Sequence, residues 1–216
     1  MMKFEAVIFD FDGTVADTGR GVKNAIKHAL NTYNIPVGDE ARLDYFIGPP
    51  LYEGFEHVYG LTPEFASRLV DEYRVYYSEK GVYECDLYPG LMEFLKKLKE
   101  SGVKLAVASS KPKHFLDTVV SFIGADKYFD FVIGPELTNH NANKTTLILS
   151  ACEALGVSPS KKVAMIGDRF YDIEGASGAG VTSVGITFGY GSYEELSEHG
   201  ADIIVSSVEE LKKAVL

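Results

Sequence analysis

The stretch AVIFDFDGTV, residues 6–15, decides the fold expected for this chain. Its first four residues are apolar without alternation, which is typical of a strand buried on both faces of a parallel sheet. Asp10 and Asp12 follow at once, and Gly13 permits a tight turn. Because ligands of open α/β sheets bind beyond the carboxyl ends of the strands, these two carboxylates are expected at a functional edge.

Further apolar runs predict the other strands of this sheet, at residues 105–108, 163–166, 183–186 and 203–205, with a weaker one at 131–133. Between them apolar residues recur at helical spacing, as at Leu91, Phe94, Leu95 and Leu98. Alternation of strands and helices predicts an α/β fold with a doubly wound parallel sheet.

Residues 18–82 interrupt this alternation, because they contain no convincing strand. They read as four helical segments, at 22–33, 39–46, 52–59 and 63–80. A crossover between parallel strands usually needs only one helix, so this block is predicted to be an inserted α-helical cap domain. The expected division is a core domain of residues 1–17 and 83–216 and a cap domain of residues 18–82.

Composition excludes several classes of partner. The chain has 216 residues, of which 46% are hydrophobic and 24% charged, as in an ordinary globular protein. A net charge of −10 without a cluster of Lys and Arg argues against nucleic-acid binding. No stretch approaches the ~20 apolar residues of a membrane span. Cys85 and Cys152 lack metal-site spacing and no signal-peptide pattern is present, which predicts a cytoplasmic location.

A second acidic strand end follows the run at 163–166. Asp168 comes directly after Gly167, and Asp172 falls on the same face if a helix begins there. Asp10 and Asp168 at one edge would repel each other unless a cation lay between them, and carboxylates suit a hard divalent cation. The alternatives are an Asx turn at Asp12 and a helix N-cap at Asp168.

Candidate phosphate contacts follow the run at 105–108 and begin a later helix. The hydroxyl of Ser109 and the N–H of Ser110 can form a phosphate seat, although a serine turn is the plainer interpretation. Lys144 begins a predicted helix, where a positive charge is unfavourable with the helix dipole. Its positive charge would be stabilised if it faced active-site carboxylates and a phosphate. The alternative is an exposed lysine.

In this order the motifs resemble those of the haloacid dehalogenase-like superfamily of phosphohydrolases. Residues 10–14 look like its DxDGT motif, Ser109 like its Ser or Thr motif, Lys144 like its single lysine and residues 167–172 like its GDxxxD motif. The position of the helical block resembles the subgroup that includes phosphoglycolate phosphatases, some 5′-nucleotidases and β-phosphoglucomutases. Residues 109–112 read Ser-Ser-Lys-Pro, where phosphoglycolate phosphatases have Thr-Asn-Lys-Pro.

The resemblance implies a magnesium-dependent phosphatase that acts on a small-molecule phosphate ester, such as phosphoglycolate or a nucleoside 5′-monophosphate, through an aspartyl phosphate. It implies that Asp10 is the nucleophile and that Asp12 is the general acid and base. Mg²⁺ would be held by carboxylates of Asp10 and Asp168 and by the backbone carbonyl of Asp12, with Asp172 orienting Lys144 or a metal-bound water. The remaining expected substrate contacts are Thr14, Gly48, Ser109, Ser110, Lys111 and Lys144, of which Ser109 and Lys144 are also counted as catalytic.

The resemblance also implies that the cap closes over the site and reads the leaving group. The loop at 46–50 would then face the substrate, with Gly48 allowing close backbone approach; a plain helix-ending turn is the alternative. Arg20 and Lys23 are candidate anion contacts. A phosphomutase using the same aspartyl phosphate and a non-catalytic regulator that kept the fold remain open, as do a monomer and a homodimer.

Overall fold

The computed structural model describes residues 3–48, 50–137 and 143–216. The chain divides into two compact units, one of Met1–Ala16 with Leu87–Leu216 and the other of Asp17–Asp86. The assignment of these units as a catalytic core and a cap remains a prediction. None of the helices within the described ranges combines the length and the apolar character needed to cross a bilayer.

The strands and helices are numbered in chain order. The strands are β1 Ala6–Phe9, β2 Ala16–Asp17, β3 Asp86–Leu87, β4 Lys104–Ala108, β5 Phe131–Ile133, β6 Val163–Gly167, β7 Thr182–Ile186 and β8 Ile203–Val205. The α-helices are α1 Gly19–Thr32, α2 Leu51–Tyr59, α3 Pro63–Glu79, α4 Leu91–Glu100, α5 Lys113–Phe122, α6 Lys144–Leu155, α7 Phe170–Ala179, α8 Tyr193–Glu198 and α9 Val208–Val215. In the described part of the chain, 3-10 helices also cover Glu40–Phe46 and Gly81–Tyr83.

Six parallel strands form the sheet of the first unit, in the order β5-β4-β1-β6-β7-β8. Strands β4 and β5 follow on one side of β1 in the sheet, and β6, β7 and β8 then follow on its other side. The strand order therefore changes direction between β1 and β6, which is where open α/β sheets hold their ligands. The predicted doubly wound parallel sheet is confirmed, and short β2 and β3 pair as a separate two-stranded sheet.

The register of the sheet explains why polar and apolar residues do not alternate along β1. Phe9 aligns with Val107 of β4 and with Ile166 of β6, and all three side chains are fully buried. Helices cover both faces of the sheet, so each residue of β1 meets apolar atoms whichever way it points. The residues that follow Phe9, Val107 and Ile166 consequently emerge together at one edge.

Small and branched side chains pack α6 and α7 onto one face of the sheet. Ala6, Ile8 and Met165 from the strands belong to one buried cluster with Ile148 of α6 and Ala176 of α7. On the sheet's aromatic side, the ring of Phe9 makes edge contacts with Phe94 and Phe129. Burial of side chains of this size contributes about 1.5–3 kcal/mol each, which anchors the strand that presents Asp10.

The second unit is helical. The segment predicted as a helix over 39–46 is a 3-10 helix, and the side chain of Asp39 caps it by accepting from the N–H of Ala41 at 3.0 Å. Arg20 pairs with Asp86 at 3.3 Å and Lys23 pairs with Asp44, so both candidate anion contacts are engaged within this unit. Gly48 has a φ of 106°, a conformation that favours glycine. Pro49 of the expected loop lies outside the described residues.

Candidate active site

Asp10 continues β1 by one residue and is buried. Its N–H donates to the carbonyl of Ile166 at 2.8 Å, so the backbone is still held by β6 at the point where the side chain leaves the sheet. The residue is 6% exposed. The ammonium of Lys144 donates to its Oδ1 at 2.8 Å. A buried carboxylate is thereby fixed in place and charge-compensated.

Lys144 reaches this site from the first residue of α6. Asn143 caps the helix, accepting from the N–H of Thr146 at 2.9 Å. The ammonium of Lys144 also donates to the carbonyl of Ala108 at 3.1 Å and lies 2.9 Å from Oδ1 of Asp172. Burial lowers the pKa of Lys144, but the neighbouring carboxylates outweigh it and raise that pKa above its ordinary value, so the side chain stays charged.

Asp168 follows β6 and is fully buried. The hydroxyl of Thr14 donates to its Oδ1 at 3.2 Å, and the N–H of Tyr190 donates to its Oδ2 at 2.8 Å. Burial, followed by the charges of Asp172 and Asp10, raises the pKa of Asp168 well above its ordinary value. The side chain is thus held in one orientation, in surroundings that disfavour its ionised form unless positive charge is added.

Asp172 lies in the first turn of α7. Its Oδ2 accepts from the N–H of Arg169 at 3.1 Å, while its Oδ1 faces Lys144. Burial raises the pKa of Asp172 to about 6, with Asp10 adding to the rise and Lys144 opposing it. The carboxylates of Asp10 and Asp172 thus both contact the ammonium of Lys144, while the expectation that Asp172 orients this lysine stays a prediction.

Three of these carboxylates form a group that fits a divalent cation. Oxygen atoms of Asp10, Asp168 and Asp172 lie within 4.8 Å of one another, and all three residues are buried. The ammonium of Lys144 contacts Asp10 and Asp172, so these two carboxylates share one positive charge. Carboxylate oxygens are the donors that Mg²⁺ prefers, and a divalent charge would offset the repulsion among them.

Two glycines of the motifs make room for these carboxylates. Gly13 has a φ of 79°, and a Cβ there would lie 2.2 Å from Oδ2 of Asp168. A Cβ at Gly167 would lie 2.1 Å from Cγ of Asp172. Both distances are far below van der Waals contact, so any side chain at either position would displace an acidic residue.

Comparison with known proteins shows the family of this chain. Residues 7–186 match the family described as haloacid dehalogenase-like hydrolase. The chain belongs to this family. The expected family, the fold class and the expectation of a hydrolytic enzyme are confirmed, and the names of its relatives support phosphatase activity.

Several relatives of this haloacid dehalogenase-like hydrolase align over nearly its whole length. A 5′-nucleotidase from Pseudomonas aeruginosa is 35% identical over 92% of this chain and 89% of its own. The tyrosine-protein kinase PtkA from Mycobacterium tuberculosis is 30% identical over 98% of this chain and 72% of its own. The crystal structure of a predicted phosphatase from Clostridium acetobutylicum has a TM-score of 0.92 at 39% identity, covering 98% of this chain and 97% of that one.

In this family member the loop after β4 carries the remaining candidates. Ser109 is buried, and its N–H donates to the carbonyl of Ile133 at 3.0 Å. Ser110 is exposed beside it. The ammonium of Lys111 lies 2.8 Å from Oδ1 and 2.9 Å from Oδ2 of Asp12. The structure thus places Ser109 at the same sheet edge as Asp10, while the predicted contacts of Ser109, Ser110 and Lys111 with substrate stay predictions.

Sequence reasoning missed the loop after β7. Besides the N–H that Tyr190 gives to Asp168, two glycines of this loop pack closely against the site. A Cβ at Gly189 would lie 2.4 Å from the carbonyl oxygen of Gly13, and one at Gly191 would lie 1.8 Å from that of Asp168. The available signal was Gly-Tyr-Gly shortly after an apolar strand, because glycine often marks close backbone approach.

Proposed function

We propose that this hydrolase is a magnesium-dependent phosphatase that removes phosphate from a small metabolite through a covalent phospho-Asp10 intermediate. The observation that carries the proposal is the setting of Asp10, a buried carboxylate at the end of the central strand, bonded to Lys144 and grouped with two further acids. Such a carboxylate is positioned and partly desolvated, which suits a nucleophile.

In the first half-reaction the carboxylate of Asp10 attacks phosphorus and the bond from phosphorus to the ester oxygen breaks. Asp12, as a carboxylic acid, gives its proton to that oxygen, so an alcohol leaves and an aspartyl phosphate remains. Asp12 lies two residues beyond Asp10 in a turn closed by hydrogen bonds from the N–H groups of Thr14 and Val15 to the carbonyl of Phe11. This turn supports the assignment because it fixes the backbone that carries Asp12 just beyond Asp10.

In the second half-reaction a water molecule attacks phosphorus of the aspartyl phosphate. Asp12, now a carboxylate, takes a proton from the water, and inorganic phosphate leaves as the carboxylate of Asp10 is restored. One residue therefore serves as acid and then as base, and both steps balance without a further proton donor.

Lys144, Ser109 and the N–H of Ser110 hold the oxygens of the transferring phosphoryl group in this proposal. The carboxylates of Asp10 and Asp172 raise the pKa of Lys144, so its positive charge is present when the substrate binds. Donors fixed before the reaction stabilise the developing charge without reorganising, which is the main source of rate acceleration in phosphoryl transfer.

The carboxylates of Asp10 and Asp168 and the backbone carbonyl of Asp12 would hold Mg²⁺ in this proposal. The bound ion would offset the negative charge of the phosphate and of the surrounding carboxylates. Thr14 and the N–H of Tyr190 support this assignment, because they fix both oxygens of Asp168 in one orientation.

The names of relatives suggest candidate substrates. A 5′-nucleotidase is 35% identical over 92% of this chain, and the pyrophosphatase PpaX from Bacillus velezensis is 28% identical over 95% of it. Another structural neighbour, from Haemophilus somnus, is named a predicted phosphoglycolate phosphatase. We therefore propose phosphoglycolate and nucleoside 5′-monophosphates as first candidates, with pyrophosphate as a third.

Phosphate release from a panel of these esters, with sugar phosphates added, tests the proposed function. Wild type is expected to release inorganic phosphate from at least one ester, and Asp10→Asn to release none above background. Equal rates for the two proteins on every ester would contradict the proposal. Conversion of a sugar phosphate into its isomer without phosphate release would instead indicate a phosphomutase.

A further inference from the structure

A second buried ion pair lies beside Asp10, between Asp12 and Lys111. Both oxygens of Asp12 face the same ammonium, at 2.8 and 2.9 Å. The Lys111 side chain is 5% exposed and that of Asp12 is 13% exposed. Because one ammonium contacts both oxygens, a change of the Asp12 side chain to another rotamer would break both contacts, so Lys111 restricts where this carboxylate can lie.

The backbone of Lys111 is itself held in place. Its N–H donates to the hydroxyl of Ser109 at 3.4 Å, and the N–H of Lys113 donates to the carbonyl of Pro135 at 2.8 Å. A Cβ at Gly134 would lie 2.6 Å from the carbonyl oxygen of Lys111, so the chain leaving β5 presses directly against this backbone. A lysine that started from a mobile loop could not fix its partner in this way.

Stability alone does not account for such a pair. Removing an ammonium and a carboxylate from water costs several kcal/mol for each ion, and the attraction between them often no more than offsets this cost. Paired apolar residues would serve a core as well or better. What the ion pair can supply instead is one defined position of the Asp12 carboxylate.

We propose that Lys111 is a positioning residue: its ion pair with the ionised carboxylate holds Asp12 in the place from which it takes a proton from the attacking water. The inference rests on the proposed function, because it takes Asp12 as the acid and base. It differs from the expectation that Lys111 contacts the substrate: its effect on the reaction is exerted through Asp12.

This role has a kinetic signature. Loss of Lys111 leaves the phosphate contacts of Lys144 and Ser109 in place, so substrate binding is preserved while proton transfer suffers. Misplacement of a catalytic group by about 1 Å costs roughly 10²-fold in rate, so Lys111→Met is expected to lower kcat by roughly 10- to 100-fold. KM is expected to stay within about threefold, since uniform binding is retained.

A double-mutant cycle separates positioning of Asp12 from a structural or substrate-binding role. Four proteins are compared for kcat and KM on the best ester of the panel: wild type, Lys111→Met, Asp12→Asn and the double variant. If Lys111 acts only through Asp12, the double variant has the kcat of Asp12→Asn, because no carboxylate remains to be positioned. Lys111→Arg keeps a charged donor, so its kcat is expected to lie between those of Lys111→Met and wild type. If Lys111→Met fails to fold, Lys111→Arg takes its place in the cycle.

Lys113→Met is the matched control, since Lys113 forms an exposed pair with Asp117 in the same segment. It is expected to match wild type. Three results would each overturn the inference. The first is a kcat of the double variant that is lowered by the product of the two single-variant factors. The others are a rise in KM at unchanged kcat for Lys111→Met, or wild-type kinetics for that variant. In all three cases the proposed phosphatase function would still hold if wild type is active and Asp10→Asn is inactive. Equal rates for those two proteins would instead contradict that function.

Discussion

Lys144 donates a 2.8 Å hydrogen bond to Oδ1 of Asp10, although 134 positions separate the two residues in the sequence. The parallel sheet accounts for this meeting. Asp10 ends the central strand, and Lys144 begins the helix that packs across β4 and leads into β6, the two neighbours of that strand. A gap of this size is closed only by the complete fold, so this pair couples folding of the first unit to formation of the site.

Removal of the Lys144 ammonium should damage both activity and stability. Lys144→Met leaves Asp10 and Asp172 buried without their shared cation, which is expected to cost roughly 3 kcal/mol of unfolding free energy. Phosphate release should fall by at least ~10²-fold, because a fixed donor to the transferring group is lost. Urea denaturation and phosphate release measure the two effects. Lys162→Met, at an exposed lysine, is the control and should change neither; a fully active Lys144→Met would contradict the assigned role.

The glycine of the first motif offers a test that separates backbone strain from loss of the site. Gly13 and Gly102 have φ values of 79° and 80°, so alanine strains both by a similar amount, about 1 kcal/mol. A Cβ at Gly13 would also meet Asp168 at 2.2 Å, whereas none of the described atoms lies within 4 Å of one at Gly102.

Gly13→Ala is therefore expected to abolish phosphate release and to weaken Mg²⁺ binding, while Gly102→Ala loses stability only. Phosphate release and calorimetric Mg²⁺ titration of both variants check this. Equal activity in the two would show that the contact with Asp168 does not matter.

The group of Asp10, Asp168 and Asp172 predicts that activity depends on a divalent cation. EDTA should abolish phosphate release, and added Mg²⁺ should restore it. Asp168→Asn keeps the shape of the side chain but removes a charged ligand, so the Mg²⁺ concentration that gives half-maximal rate should rise at least ~10-fold. A rate titration against Mg²⁺ measures this shift. An unchanged metal requirement in Asp168→Asn, or full activity in EDTA, would refute the proposed metal site.

Asp202 lies outside the candidate active site, and its contacts predict how stability depends on pH. Its carboxylate accepts from the N–H of Ser183 at 2.9 Å and pairs with Lys161 at 3.0 Å, which joins the start of β8 to β7. Partial burial raises the pKa of Asp202, but the Ser183 N–H and the Lys161 charge outweigh it and set that pKa below its ordinary value.

A group whose pKa is lowered on folding stabilises the protein above its unfolded pKa, and this stabilisation disappears as the pH falls through the folded pKa. Asp202→Asn should therefore cost about 1 kcal/mol near pH 7, and the difference from wild type should shrink below about pH 4. Urea denaturation across this range measures it, with Asp126→Asn, at an exposed aspartate, as control. A difference that grew at acid pH would contradict the sign.

Much of the fold could be read from the sequence, because it depends on local patterns. Ala6–Phe9 and Ile203–Val205 have the predicted bounds, since continuous apolar runs are distinctive where both faces of a strand are covered. Lys144 begins α6 as predicted. The segment at 39–46 forms a 3-10 helix, a difference that residue spacing over two turns hardly encodes.

Contacts between distant residues were harder to predict. Asp10, Lys144, Asp168 and Asp172 could be grouped because each is next to a strand end or a helix start. The pairing of Lys111 with both oxygens of Asp12 could not be foreseen, because it depends on the path of a long side chain. The N–H of Tyr190 was missed for a similar reason: a backbone donor carries no residue-type signal.

Capture of the covalent intermediate tests the central claim most directly. Wild type turning over the best ester of the panel is quenched in acid, digested and analysed by mass spectrometry for phosphorylated peptides. A phosphate adduct on Asp10 is predicted, absent from Asp10→Asn treated in the same way. Rapid turnover by wild type with no adduct on Asp10, together with undiminished phosphate release by Asp10→Asn, would contradict the account.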